Sequence, residues 1–244
     1  MIVIYDGSFE GFLTLVYEVY YQKLKPKKIV KELPNSLILD DIRVIESDEI
    51  KSLKVLEGLK KRFAQKNFEV IFHIFMCDSV EFELDLLHFI ILGFKSQKEL
   101  ENINYPFVFN IQNLQKELFR YSHKMSGFIR FMELDDGTLY GKIETKFNIV
   151  YHLGTHFSER FNNQNYIIHD IKRKLAFVKI GNTHQVQEVA TFDKPTMSVN
   201  EEKFSNLWKT FFASVAIQSR ENKKLQKQMV PLIYRTFMTE FKED

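Results

Sequence analysis

A single cysteine, Cys77, leaves no room for an internal disulfide, a four-cysteine zinc site or a cysteine-held iron–sulfur cluster, and it suits a reducing compartment. Glycine and proline are also scarce, at 9 and 5 residues, which argues against a loop-rich scaffold or a Gly/Ser or Pro-rich linker. No apolar run approaches the roughly 20 residues that span a bilayer. The longest, around LLHFIILGF, is short and contains His88. The opening MIVIYDGSFEGFL lacks a basic segment and carries Asp6 and Glu10, so it does not read as a signal peptide. A cytoplasmic protein without a membrane partner is expected. Charge of one sign is missing too: 34 Lys and Arg against 32 Asp and Glu leave +2 over 244 residues. Any attraction to nucleic acid must therefore come from local patches.

Aromatics are abundant, with 24 Phe and 10 Tyr, and favour long helices with aromatic packing. Ile2 to Tyr5, the turn formers Asp6, Gly7 and Ser8, and a helical stripe of Phe9, Phe12, Leu13, Val16 and Tyr20, expected to be buried, predict strand, turn and helix, ending before Pro26. From Asp48 to about Tyr121 the period is helical. Near Ser126 it changes. GFIRFMEL and TLYGKIET flank Asp135-Asp136-Gly137 and predict a hairpin. NIVYHLGTHFSERF reads as a helix, NYIIH and KLAFVKI as strands, and GNTHQVQEVATFDKPTM as an irregular connection. Ser198 and Glu201 have capping-box spacing before a helix whose apolar face is Phe204, Leu207, Trp208, Phe211 and Val215. Pro231 can open a last helix. The fold class is α+β: mostly helical, with a small antiparallel sheet built from hairpins in the second half. Residues 1–120 form a mainly helical subdomain and 121–244 a hairpin-and-helix subdomain, packed as one unit.

Four constellations bear on chemistry. YDGSFEG joins a strand to a helix N-terminus, where free N–H groups attract anions, but it lacks a P-loop lysine and the third glycine of a dinucleotide fingerprint. A structural turn is the preferred reading. His152 and His156 share a helix face, with Glu159 nearby, yet in neither the HExxH nor the di-iron carboxylate order, so no metal or other cofactor is expected. His156, Arg160, Asp170 and Arg173 are expected to converge, because the short NNQN connection returns the chain beside its helix. Arg160 and Arg173 then bind phosphate, with His156 as general acid or base, or Asp170 and an arginine pin helix to hairpin. On a continuous closing helix, Lys209, Arg220, Lys223, Lys224 and Lys227 fall in one arc opposite the apolar stripe, as a phosphate-binding face or a solvated one, and Asn222 lies on the apolar side as a buried amide.

IYDGSFEGFL, GFIRFMELDDGTLYGKIE, HFSERF with IIHDIKR, and LWKTFFASVAIQSRENKKLQKQMVPLIY together resemble an uncharacterised bacterial family labelled as DNA metabolism proteins. The resemblance falls on Asp6, Gly7, Phe9, Gly11, Arg130, Phe131, His156, Phe157, Arg160, Phe161, Asp170, Arg173, Trp208, Arg220, Asn222, Pro231 and Tyr234. It implies a domain that accompanies a radical-SAM protein assigned to DNA repair and that is in some members fused to a uracil-DNA glycosylase-like domain. The three-cysteine cluster of the radical-SAM partner is lacking here. The resulting expectation is an accessory protein of DNA repair or modification that binds DNA or a partner repair enzyme. The alternatives are an enzyme acting on a nucleotide or nucleic acid, and a protein-interaction module.

Overall fold

Ile2–Ile4 forms β1, the middle strand of a three-stranded parallel sheet ordered β2 (Lys28–Val30), β1, β3 (Ile42–Val44). The computed structural model describes residues 1–32, 40–78, 81–189 and 196–241. By its internal contacts the chain divides into two compact units, Met1–Phe119 and Arg120–Asp244.

In the first unit the predicted strand, turn and helix are present. Gly7 supplies a left-handed bend at φ +80°, and Ser8 caps α1 (Phe9–Gln22), its Oγ accepting from the Gly11 N–H at 2.8 Å. Asp48 caps α2 (Glu49–Arg62) in the same way. Helices α3 (Gln65–Met76) and α4 (Glu83–Lys95) follow, with a 3-10 turn at Gln97–Glu101, and α5 (Pro106–Phe128) starts in this unit and ends in the second. The core gathers Val3, Tyr5, Phe12, Leu15, Leu59, Ile71, Leu86 and Ile90 from the sheet and helices. Burial of each large apolar side chain contributes about 1.5–3 kcal/mol. Strands β2 and β3, three residues each, are too short to leave a period-2 signal.

The second unit carries a five-stranded sheet ordered β4 (Phe131–Glu133), β5 (Leu139–Ile143), β6 (Tyr166–Asp170), β7 (Leu175–Ile180), β8 (Thr183–Glu188). The Asp-Gly hairpin forms as predicted: Gly137 takes φ +78°, and Asp136 accepts from the Thr138 N–H at 2.9 Å. The expected all-antiparallel sheet is corrected, because β5 and β6 are parallel. Helix α6 (Val150–Arg160) connects them, and a helix that crosses from one strand to its neighbour returns the chain in the same direction. The expected irregular connection is corrected as well. Its first part is β8, antiparallel to β7 across a Gly181 turn. All six β8 residues are exposed, so its sequence has no buried face to betray a strand. Residues 190–195 of that connection lie outside the described residues.

Helices α7 (Glu201–Ser214), α8 (Lys223–Met229) and α9 (Leu232–Arg235) follow, α9 directly after Pro231. The Ser198–Glu201 capping box does not form: Ser198 and Glu201 instead reach back to β4, hydrogen-bonding the carboxylate and the N–H of Glu133. No helix among the described residues is long and apolar enough to cross a membrane.

Candidate functional site

Asp170 closes β6, fully buried, and Arg173 sits in the turn that follows. The guanidinium donates from Nη1 to Asp170 Oδ2 at 3.0 Å and to the Thr145 carbonyl at 2.9 Å, and from Nη2 to the Lys146 carbonyl at 2.8 Å. Asp170 also accepts from Thr145 Oγ1 at 3.1 Å and from the Arg173 N–H at 3.2 Å. Sequence proximity across a turn made the ion pair legible. The Thr145 and Lys146 carbonyls were not, since backbone oxygens leave no mark in sequence. The assembly ties the β6–β7 turn to the loop before α6, and only 12% of the Arg173 side chain is exposed.

His156 and Arg160 lie exposed on the last turns of α6, at the other end of the sheet. Because α6 runs back against β5 and β6, its C-terminus meets the start of β6, and roughly 13 Å of strand separates that end from Asp170. The four-residue convergence is therefore corrected: Asp170 and Arg173 come together, and no hydrogen bond or ion pair joins them to His156 or Arg160. The NNQN loop is held instead by Lys179, a buried lysine that donates to the carbonyls of Asn162 and Gln164 at 3.1 and 3.2 Å. The Tyr166 hydroxyl bonds Gly154 O at 2.6 Å behind it. Among the described residues no three His, Cys, Asp or Glu side chains are grouped as metal ligands.

The continuous basic helix is corrected too. Helix α7 stops at Ser214, a 3-10 turn spans Gln218–Arg220, and Asn222 begins α8. Asn222 is exposed and acts as an N-cap, accepting from the Leu225 N–H at 2.9 Å, rather than lying buried on an apolar face. Lys209 stays on α7, partly buried, away from the others in sequence and on a different helix. Arg220, Lys223, Lys224 and Lys227 remain as an exposed run, with Glu221 3.8 Å from Lys223. The stripe expected to be buried is open: Phe204, Leu207, Phe211 and Val215 are each more than half exposed.

Two further clusters hold this unit. Arg130 forms a fork to Glu240, with Nε to Oε2 at 3.2 Å and Nη2 to Oε1 at 2.5 Å, while Trp208 Nε1 donates to Oε2 at 3.0 Å. The guanidinium also lies 5.3 Å from the Trp208 ring centre. Burial would raise the Glu240 carboxyl, but hydrogen bonds from Arg130 and Trp208 outweigh it and hold it below its usual range. Tyr234 packs on Tyr121 and Phe128, and its hydroxyl is pushed up by burial and by the bond to Tyr121. Sequence reasoning missed Glu240 and Tyr121. The one available signal was that Arg130, just ahead of an apolar hairpin strand, needed a carboxylate.

In the first unit Asp6 and Gly7 end β1. Asp6 accepts from the N–H and hydroxyl of Ser8 at 2.9 and 2.8 Å and from Ser47 Oγ at 2.5 Å. Burial is outweighed by these bonds, and the carboxyl lies below its usual range. Lys31 covers Gly7 and pairs with Asp78 at 2.9 Å. Beside them Tyr5 donates to Glu83 at 3.4 Å; burial, then each other's presence for the tyrosine, keeps both groups protonated further up the pH scale than usual. Asp6 is thus saturated by local donors, and Tyr5 and Glu83 are closed to solvent, which makes this the turn-building corner of the unit.

The model of the family described as a domain of unknown function, DUF4130, matches residues 81–240. The chain belongs to the DUF4130 family. No curated protein matches the sequence. The DUF4130 segment takes in Arg130, His156, Arg160, Asp170, Arg173, Trp208, Arg220, Asn222 and Tyr234, while Asp6 and Gly7 precede it. Within the DUF4130 segment these residues, Asn222 apart as the cap of α8, fall into two groups. Arg130, Asp170, Arg173, Trp208 and Tyr234 are engaged in the packing that joins sheet, loop and C-terminal helices. His156, Arg160, Arg220 and the α8 lysines face solvent, with donors open to a ligand.

Proposed function

We propose that the chain is a cytoplasmic accessory protein of DNA repair or modification, binding DNA through Arg220, Lys223, Lys224 and Lys227 and working beside a radical-SAM repair enzyme. The observation that carries the DNA contact is the open run of four cations around α8, facing a single carboxylate. Phosphates are the ligands such a run attracts, through ion pairing and release of condensed counterions. The link to repair and to a radical-SAM enzyme rests on the sequence resemblance. Arg173 is drawn away from a phosphate role, because both of its terminal nitrogens donate within the fold, to Asp170 and two carbonyls, and its side chain is only 12% exposed. The catalytic alternative loses its second arginine on that ground.

A second reading, a protein-interaction module, draws on a separate observation. Phe204, Leu207 and Phe211 on α7, with Val215 just past its end, form an exposed apolar stripe of the kind that marks a contact surface. The two readings separate in a pull-down from the native cell with and without nuclease. Capture of DNA, and of repair proteins only while DNA is intact, is the expected result. Protein capture that survives nuclease, with no DNA recovered, would replace the first reading by the second.

A further inference from the structure

We propose that the groove between α1 and α2 in the first unit binds an unstacked base of single-stranded nucleic acid. One wall is a tyrosine ladder on the last two turns of α1. Tyr17 and Tyr21, one turn apart, lie with ring centres 4.3 Å apart at 35°, and Tyr20 meets Tyr21 edge-on at 5.4 Å and 83°. Tyr20, expected in a buried stripe of α1, is instead 55% exposed, and Tyr21 is 65% exposed with Tyr17 against one face, which leaves ring surface open to a flat ligand. The apolar floor includes Val55 and the Phe94 ring. Gly58 on α2 keeps that ring in place: a Cβ there would stand 3.2 Å from Phe94, tighter than an ordinary contact.

The rim is cationic. Lys54 Nζ stands 5.9 Å from the Tyr17 ring centre, Arg62 lines the same groove, and no carboxylate lines it. Neither cation is ion-paired to a described carboxylate. Open aromatic faces beside free cations are the recognition chemistry of single strands: a base stacks whatever its identity, and the flanking phosphate meets the ammonium or guanidinium. Size narrows the ligand. At about 270 Å³ the groove falls just under the roughly 300 Å³ at which ordinary small-molecule sites begin, so it suits one base rather than a dinucleotide cofactor. The inference shares its ligand class with the reading above, but none of its residues, so the two fail separately.

The test is anisotropy of a short labelled oligothymidylate at low salt. Both tyrosines are exposed, so the Tyr20→Ala/Tyr21→Ala variant should keep its fold, which circular dichroism checks. Affinity should fall roughly tenfold or more, since stacking on an aromatic ring contributes that much per base. Tyr20→Phe/Tyr21→Phe should bind like the native protein, and Lys54→Ala/Arg62→Ala should weaken binding and flatten its salt dependence. Photocrosslinking of a thiothymidine oligonucleotide should label Tyr20 or Tyr21. Unchanged affinity in the alanine variant overturns the inference even where Lys223→Glu/Lys227→Glu abolishes binding, the case in which the α8 reading alone survives. It is overturned equally if thymidine monophosphate competes as well as the oligonucleotide, or if the native protein binds no strand.

Discussion

Arg173 directs its guanidinium to one carboxylate and two backbone carbonyls, and that geometry makes it a fastener. Replacing it by alanine leaves a fully buried Asp170 carboxylate with only Thr145 and an N–H as donors. The cost should be about 3–5 kcal/mol, as for breaking other buried pairs, and Tm should drop by roughly 10 °C or more. DNA affinity measured below the transition should not change, and a large loss of affinity in a stably folded variant would restore the phosphate role. Arg130 and Glu240 give a pH-dependent counterpart. The folded Glu240 carboxyl lies below its ordinary value of 4.5, so its contribution is present above that value and is lost as pH falls through the lower, folded one. The stability gap between native protein and Glu240→Gln should be flat from neutral pH down to the ordinary value of 4.5 and should narrow as pH falls below it through the lower, folded value. Trp208, the only tryptophan, reports on the same junction through its emission. The pairing of Asp170 with Arg173 could be read from spacing around a turn, whereas Glu240 could not, because 110 residues separate it from Arg130.

At the scale of elements, glycine contacts give a contrast that sequence cannot. On α6 a Cβ at Gly154 would fall 2.1 Å from the buried Phe177 ring, while at Gly127 on α5 nothing lies within 4 Å. Gly154→Ala should therefore destabilise the second unit by about 1–3 kcal/mol or more through overpacking. Gly127→Ala should be neutral or stabilising by up to about 1 kcal/mol, the difference in helix propensity. Thermal melts of the two variants check both signs. The Asp136-Gly137 hairpin, the Ser8 cap and α6 were legible because each rests on local chemistry. The direction of β6 depends on a crossover, and β8 has no buried face, so neither left a periodic signal. The broken basic helix is the instructive case. Residues 215–222 contain no glycine or proline, and the helical period runs on through them; the usable clue is Asn222, a good N-cap where a new helix starts. Asn222→Ala should fray α8 at a cost of about 1 kcal/mol, seen as faster amide exchange from Leu225 onward.

For the molecule as a whole, near-neutral net charge confines any polyanion contact to patches, and the break between α7 and α8 leaves four cations together where five had been expected on one helix. The exposed α7 stripe went unforeseen because periodicity reports an apolar face without telling whether the chain itself covers it. The proposed DNA contact depends most on those four cations, and titration of labelled single- and double-stranded DNA at two salt concentrations addresses them directly. If all four meet phosphates, affinity for duplex should fall roughly a hundredfold between about 50 and 200 mM salt. Lys223→Glu/Lys227→Glu should bind more weakly with about half that salt slope, and its fold should be intact because exposed charges contribute little to stability. Unchanged binding and slope in the double variant, or no binding by the native protein at the lower salt, would contradict the assignment of α8 to DNA and leave the exposed α7 face, and a protein partner, as the better account.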